Sequence, residues 1–209
     1  FITSKIFGGD HDRAAEVIDE ALSDLGVDYI DLMLIHQPGS DDAGVYKAME
    51  EAVESGKLHS IGISNYYTKE QVDEVLSFAV ITPAVIQNEN HIYYQNAELR
   101  DYVKQYGIVM ESWYPFGGRG HTQESFENDV ILDLAKVHGK TAAQVILRWH
   151  IQRNTIVIPK STHYDRMVQN INVFDIILSE EDMAKIAALD KGQSSFFSDS
   201  RMSLPKSSF

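Results

Sequence analysis

The stretch "IVIPKSTHYDRMVQN", Ile156–Asn170, holds the logic of the whole chain in fifteen residues. Ile156, Val157 and Ile158 are β-branched and read as a strand, Pro-Lys-Ser ends it, and a helical pattern opens around Arg166. A strand that runs through a short polar turn into a helix is one β/α unit. A Lys and a Ser at the end of an apolar strand, with an Arg six residues after the Lys, are more than a core needs. Two cations and a hydroxyl where a helix begins make a sound anion site, because helix amides and dipole add to the charges.

The same unit recurs along the 209 residues. Further strand-like runs are "FITSK" (Phe1–Lys5), "YIDLMLIH" (Tyr29–His36), "SIGISN" (Ser60–Asn65), "AVIQNEN" (Ala84–Asn90) and "IVMESW" (Ile108–Trp113). Between them lie amphipathic helices with readable ends. Ile18, Ala21, Leu22 and Leu25 share a face before Gly26, and another helix runs to Gly56. Thr68 with Gln71, and Thr141 with Gln144, have capping-box spacing. Asn96 and the region of Asp129 open further helices that stop at Gly107 and Gly139, and a last helix follows Ser179.

Strand-helix alternation with nearly all-apolar strands predicts an α/β fold with a mostly parallel sheet. A doubly wound sheet and a (β/α)8 barrel compete. No strand is followed by GxGxxG, and "GGRG" after Trp113 lacks the spacing, which weakens the dinucleotide-binding open sheet. Each run ends in a polar or aromatic residue: Lys5, His36, Ser64 with Asn65, Gln87, Trp113, and Lys160 with Ser161. A parallel barrel opens all its strand ends on one face, where chemistry sits, so the barrel is favoured. The chain reads as one domain over residues 1–209, with 193–209 as a C-terminal tail.

Composition narrows the partners. The hydrophobic share is 44% and the net charge is -13 without a basic tract, so a nucleic acid would be repelled. There is no cysteine, hence no disulfide framework or thiolate metal site. The histidines are scattered and no HExxH occurs, so no metal is expected; Glu89 and His91 read as polar residues at a barrel mouth. No apolar run is long enough to span a bilayer and "FITSKIFGGD" does not read as a signal peptide, which predicts a cytoplasmic protein.

Taken in order, "DYIDLMLIHQP", "GKLHSIGISNYY", "PAVIQNENHIYYQ", "VMESWYPFGGRG" and "IVIPKSTHYDRMVQN" resemble the successive strand ends of the aldo-keto reductases. The match runs from Phe1 to about Gly192 and is nearest to the bacterial reductases similar to 2,5-diketo-gluconate reductase. The resemblance implies a (β/α)8 TIM barrel that binds NADPH in extended form and reduces a small-molecule aldehyde or ketone to an alcohol. It assigns Lys160, Ser161 and Arg166 to the adenosine 2′-phosphate, Gln169 and Asn170 to the adenine end, and places Thr162 among the cofactor-binding residues. The family often has Glu at the position of Gln169. Ser64, Asn65 and Gln87 match the residues that hold the nicotinamide carboxamide, a group that needs both donors and acceptors. Trp113 matches the aromatic on which the nicotinamide stacks, with Tyr114, Pro115 and Phe116 beside it, and the glycine loop with Arg119 would be mobile and close on the pyrophosphate. His36 and Lys5 match two of four catalytic residues, a His that orients the carbonyl and a Lys that lowers the pKa of a proton-donating Tyr.

The chain departs from the family at both ends. It begins at the family's third strand, so strands 3 to 8 are expected, and the acid Tyr and its Asp are not among these residues. Six strands cannot close the barrel, and open edges favour pairing or aggregation. Residues ahead of Phe1 in the intact protein, or a chain that lost them, are the two explanations, with the first expected. The tail "SRMSLPKSSF" is unlike the family's, and Phe196 and Phe197 are candidates to line the substrate pocket. Two other functions fit some of these residues. One is a non-catalytic reductase-like protein that binds the cofactor. The other is a barrel lyase or isomerase that binds a sugar phosphate at Lys160 and Ser161. The sequence does not indicate an oligomeric state.

Overall fold

The computed structural model describes residues 1–118 and 120–196; Arg119 and residues 197–209, Phe197 among them, lie outside the described residues. In chain order the elements are β1 (Thr3–Ile6), α1 (His11–Leu25), β2 (Ile30–Ile35), α2 (Asp42–Glu54), β3 (Leu58–Ser64), α3 (Lys69–Phe78), β4 (Val85–Glu89), α4 (Ala97–Lys104), β5 (Val109–Trp113), α5 (Thr122–Phe126), α6 (Asp129–His138), α7 (Ala142–Gln152), β6 (Ile156–Val157), α8 (Tyr164–Ile171) and α9 (Glu180–Ala187). Strand order equals chain order, β1 through β6. A doubly wound sheet reverses its order at a switch point; a β/α barrel does not. The fold is therefore α/β with six consecutive parallel strands in barrel order.

Two compact units carry these elements, Phe1–Asn88 with Glu98–Val109, and Glu89–Ala97 with the described residues from Met110 to Phe196. In the first unit β1, β2, β3 and β4 pair in register, with Lys5 opposite Leu34, Leu34 opposite Gly62, and Ser64 opposite Gln87. Gly62 makes that register possible. A Cβ there would stand 2.4 Å from the Val85 carbonyl oxygen and 2.8 Å from Leu34 Cδ2. The α1 stripe keeps its expected face, with Ala14 and Ile18 buried and Ala21 and Leu22 half-buried, whereas Leu25 is exposed just before the left-handed Gly26 that ends the helix.

In the second unit Trp149, Val145, Ile146, Ile131, Leu134 and Ile186 form the core with Ile92 and Tyr93. Full burial of each aliphatic or aromatic side chain contributes roughly 1.5–3 kcal/mol, so this cluster holds α6, α7 and α9 together. Both capping boxes read from the sequence are present, at Thr68–Gln71 and Thr141–Gln144, and Ser179 with Asp182 forms another. Asn96 takes a different role, since its side-chain amide donates to the Glu89 carbonyl.

One expected strand is shorter than its sequence pattern. β6 ends at Val157, and Ile156 and Ile158 are exposed rather than buried. Pro159 has no N–H to donate to a ladder, so the pairing stops before Lys160 and Ser161, which lie on the loop that enters α8.

Candidate active site

The residues singled out from the sequence fall into two sets, one in each unit. In the first unit they sit at the carboxyl ends of parallel strands. Lys5 is the third residue of β1, His36 follows β2, Ser64 ends β3, Asn65 follows it, and Gln87 lies inside β4. Ser64 is fully buried and Gln87 nearly so, side by side on neighbouring strands.

His36 is shaped by its surroundings. Its N–H donates to the Ile6 carbonyl at 2.9 Å, and its ring packs 4.0 Å from the ring of Phe7. Nδ1 is buried and has no hydrogen-bond partner among the described residues. Burial first, and then the charge of Lys5, hold its pKa below the ordinary imidazole value. The ring is therefore neutral near pH 7 and retains one N–H, the form that can donate to a carbonyl oxygen.

Asn65 is the hinge pin of this set. It adopts a left-handed backbone, φ 64°, which Asn tolerates better than most residues. Its backbone N–H donates to the Gln87 carbonyl at 3.0 Å, its Nδ2 to the His36 carbonyl at 2.8 Å, and its Oδ1 accepts from the Tyr67 hydroxyl at 3.0 Å. Three strand ends are thus fastened by one residue.

In the second unit, Phe116, Lys160, Ser161, Thr162, Arg166, Gln169 and Asn170 line a single cavity of about 890 Å³. Lys160 and Arg166 are exposed, so their charges act on a ligand through solvent and are screened by salt. Ser161 Oγ accepts the His163 N–H at 3.1 Å and so shapes the turn that opens α8. Gln144 fixes the far end of α8, donating to the carbonyls of Gln169 and Asn172.

Sequence reasoning missed part of this cavity. Thr122, Gln123 and Phe126 of α5 line it, as do Thr141, Ala142 and Ala143 at the start of α7. The Thr141–Gln144 capping box was a signal for the second group, because it marks a helix N-terminus. The five residues of α5 are too few to show a helical period.

Trp113, Tyr114 and Pro115 precede that cavity rather than line it. Trp113 ends β5, and the Tyr114 ring meets it edge-on with centroids 5.0 Å apart. The Pro115 carbonyl faces His150 Nε2 at 3.3 Å. The glycines that follow serve close packing. Gly117 N–H closes a turn on the Tyr114 carbonyl at 2.8 Å, and a Cβ on Gly118 would stand 2.4 Å from the Tyr114 ring. Both have positive φ, 92° and 69°, which a side chain would strain. Among the described residues of this glycine loop, Gly117 and Gly118 thus form a hydrogen-bonded turn packed on Tyr114. Glu89 and His91, read from the sequence as polar residues at a barrel mouth, are buried and bonded to each other.

A family profile described as the Aldo/keto reductase family matches residues 1–191. Morphine 6-dehydrogenase of Pseudomonas putida is 39% identical over 206 residues, covering 92% of this chain and 69% of that protein. Glyoxal reductase of Bacillus subtilis is 39% identical over 196 residues, with the same coverage of 92% and 69%. Among solved structures, an aldo-keto reductase enzyme from a Medee basin deep-sea metagenome library superposes with TM-score 0.90 at 36% identity, covering 94% of this chain and 73% of that one. A Bombyx mori aldo-keto reductase in complex with NADP superposes with TM-score 0.86 at 31% identity, covering 92% and 68%.

Proposed function

Because this chain belongs to the aldo/keto reductase family, an oxidoreductase family, we infer that it carries out NADPH-dependent reduction of an aldehyde or ketone to an alcohol. The observation that carries this reading is the cavity of the second unit. Its donor set suits NADPH: Lys160 and Arg166 are cations, Ser161 and Thr162 carry hydroxyls, and Gln169 and Asn170 carry amides. Its volume of about 890 Å³ lies in the range of cofactor pockets.

Lys160 and Arg166, with the Ser161 hydroxyl, are assigned to the 2′-phosphate, which makes NADPH the preferred cofactor over NADH. Gln169 and Asn170 are assigned to the adenine end, and Thr162 to the phosphate turn. Ser64, Asn65 and Gln87 are assigned to the carboxamide, where a mixed set of donors and acceptors fixes which ring face is presented. Trp113 offers its flat indole for stacking, and Tyr114, Pro115 and Phe116 shape the segment that follows it. When bound, NADPH supplies the hydride. His36, kept neutral by burial and by Lys5, donates its remaining N–H to the carbonyl oxygen and so polarises the carbon for attack. Lys5 acts through its charge, which disfavours protonation of its neighbours. A cytoplasmic setting is proposed with the reaction, since NADPH is regenerated there.

The test is NADPH consumption by the intact protein with a small aliphatic aldehyde, together with product analysis. One alcohol formed per NADPH oxidised is the expected result. Tight NADPH binding without alcohol would overturn the enzymatic reading in favour of a cofactor-binding protein. Displacement of NADPH by simple sugar phosphates, again without alcohol, would favour the lyase or isomerase.

A further inference from the structure

The end of β4 and the turn after it bury two ionisable side chains that the proposed reaction does not use. Glu89 is 1% exposed and His91 0%. His91 Nδ1 accepts the Tyr93 N–H at 3.3 Å, so the proton of the neutral ring is on Nε2, which donates to Glu89 Oε1 at 3.0 Å. The Glu89 carboxylate then takes donors from a distant segment. Oε1 accepts the Ser195 N–H at 2.8 Å, and Oε2 accepts the Ser194 hydroxyl. Ser194 Oγ in turn accepts the N–H of Phe196 at 3.0 Å.

That relay ends on an aromatic wall. Phe196 meets Trp113 edge-on, with centroids 5.6 Å apart and planes at 88°. It also lies 5.9 Å from Tyr114. Phe196 remains 56% exposed, and its backbone N–H is held by Ser194, which Glu89 holds in turn. The chain just before it is clamped to the same turn, by Lys191 N–H on the Tyr93 carbonyl at 2.9 Å and Gln95 N–H on Asp190 at 3.3 Å.

We propose that Glu89, oriented by His91, is a positioning residue for substrate size. It ties down Ser194 and Ser195 and so sets where Phe196 stands against Trp113, and the distance between those two rings limits the carbonyl substrates that fit. The consequence for substrates rests on the reductase reading; the latch itself does not.

The experiment uses Glu89→Gln, which keeps the shape of the side chain but replaces one acceptor with a donor. With a two-carbon aldehyde, kcat and KM should move by less than about two-fold, while KM for a bulky aryl aldehyde changes about ten-fold. Phe196→Ala should reproduce that change, and the double variant should add nothing further, as expected of residues acting through one contact. Equal effects on both aldehydes, or additive effects, would overturn the proposal. The indole N–H resonances of Trp113 and Trp149 provide a readout that needs no turnover. Glu89→Gln should shift the Trp113 resonance and leave Trp149 in place, and an unmoved Trp113 overturns the latch. If no aldehyde is reduced, the reductase reading fails while the Trp113 resonance still decides the latch. Ser194→Ala, in a partly exposed segment, gives the same resonance test should Glu89→Gln not fold.

Discussion

The side-chain amide of Asn65 donates to the carbonyl oxygen of His36 at 2.8 Å, so the residue after β3 holds the residue after β2. Asn65 also receives the Tyr67 hydroxyl and donates its backbone N–H to Gln87. Asn65→Ala removes the side-chain bonds and places a Cβ residue of lesser tolerance at positive φ. The expected loss is about 1–3 kcal/mol in denaturant unfolding. Asn65→Gly relieves the backbone part and should lose less. An alanine variant as stable as the parent would show that this pin carries no strain or bonding of consequence.

Arg166 lines the cavity of the second unit with Lys160 and Ser161. If these groups read a 2′-phosphate, Arg166→Ala weakens NADPH by at least about 1.5 kcal/mol, roughly ten-fold, and leaves NADH nearly unchanged. Because both cations are exposed, the preference for NADPH should also shrink as salt rises. Fluorescence titration with each cofactor checks both points. Equal weakening of NADH and NADPH would remove Arg166 from the phosphate.

His36 has its pKa held below 6.5 by burial and then by Lys5. The unfolded chain therefore binds the proton more readily than the folded one. This residue's contribution to stability is complete above pH 6.5 and is lost as pH falls through the folded value. An NMR titration of the ring should show a midpoint below 6.5, and Lys5→Met should raise it part of the way back, leaving the part due to burial. A midpoint indifferent to Lys5 would contradict the electrostatic role given to that lysine.

Much of the site was legible because each candidate stood at or near a strand end. His36, Ser64 and Trp113 are where an apolar run gives out, and the structure keeps them at those ends. Lys160 and Ser161 were legible as a polar pair near Arg166, with which they line one cavity, but not as loop residues, since the β-branched pattern of Ile156–Ile158 hides what Pro159 does to the ladder. Glu89 and His91 were legible as polar residues after a strand, but the bonds of Glu89 to Ser194 and Ser195 were not, because alternation along a strand says nothing about a partner 105 or 106 residues away.

The sequence alone determined the β/α alternation, the helix caps at Thr68 and Thr141, and the left-handed stops at Gly26 and Gly139, because each depends on contacts within a few residues. Tertiary structure decided the rest. It set Ser64 opposite Gln87, gathered Thr122, Thr141, Lys160 and Arg166 around one cavity, and joined Glu89 to Ser194. Strand register and long-range hydrogen bonds are fixed by which segments share a core, and no local pattern of residue types encodes that choice.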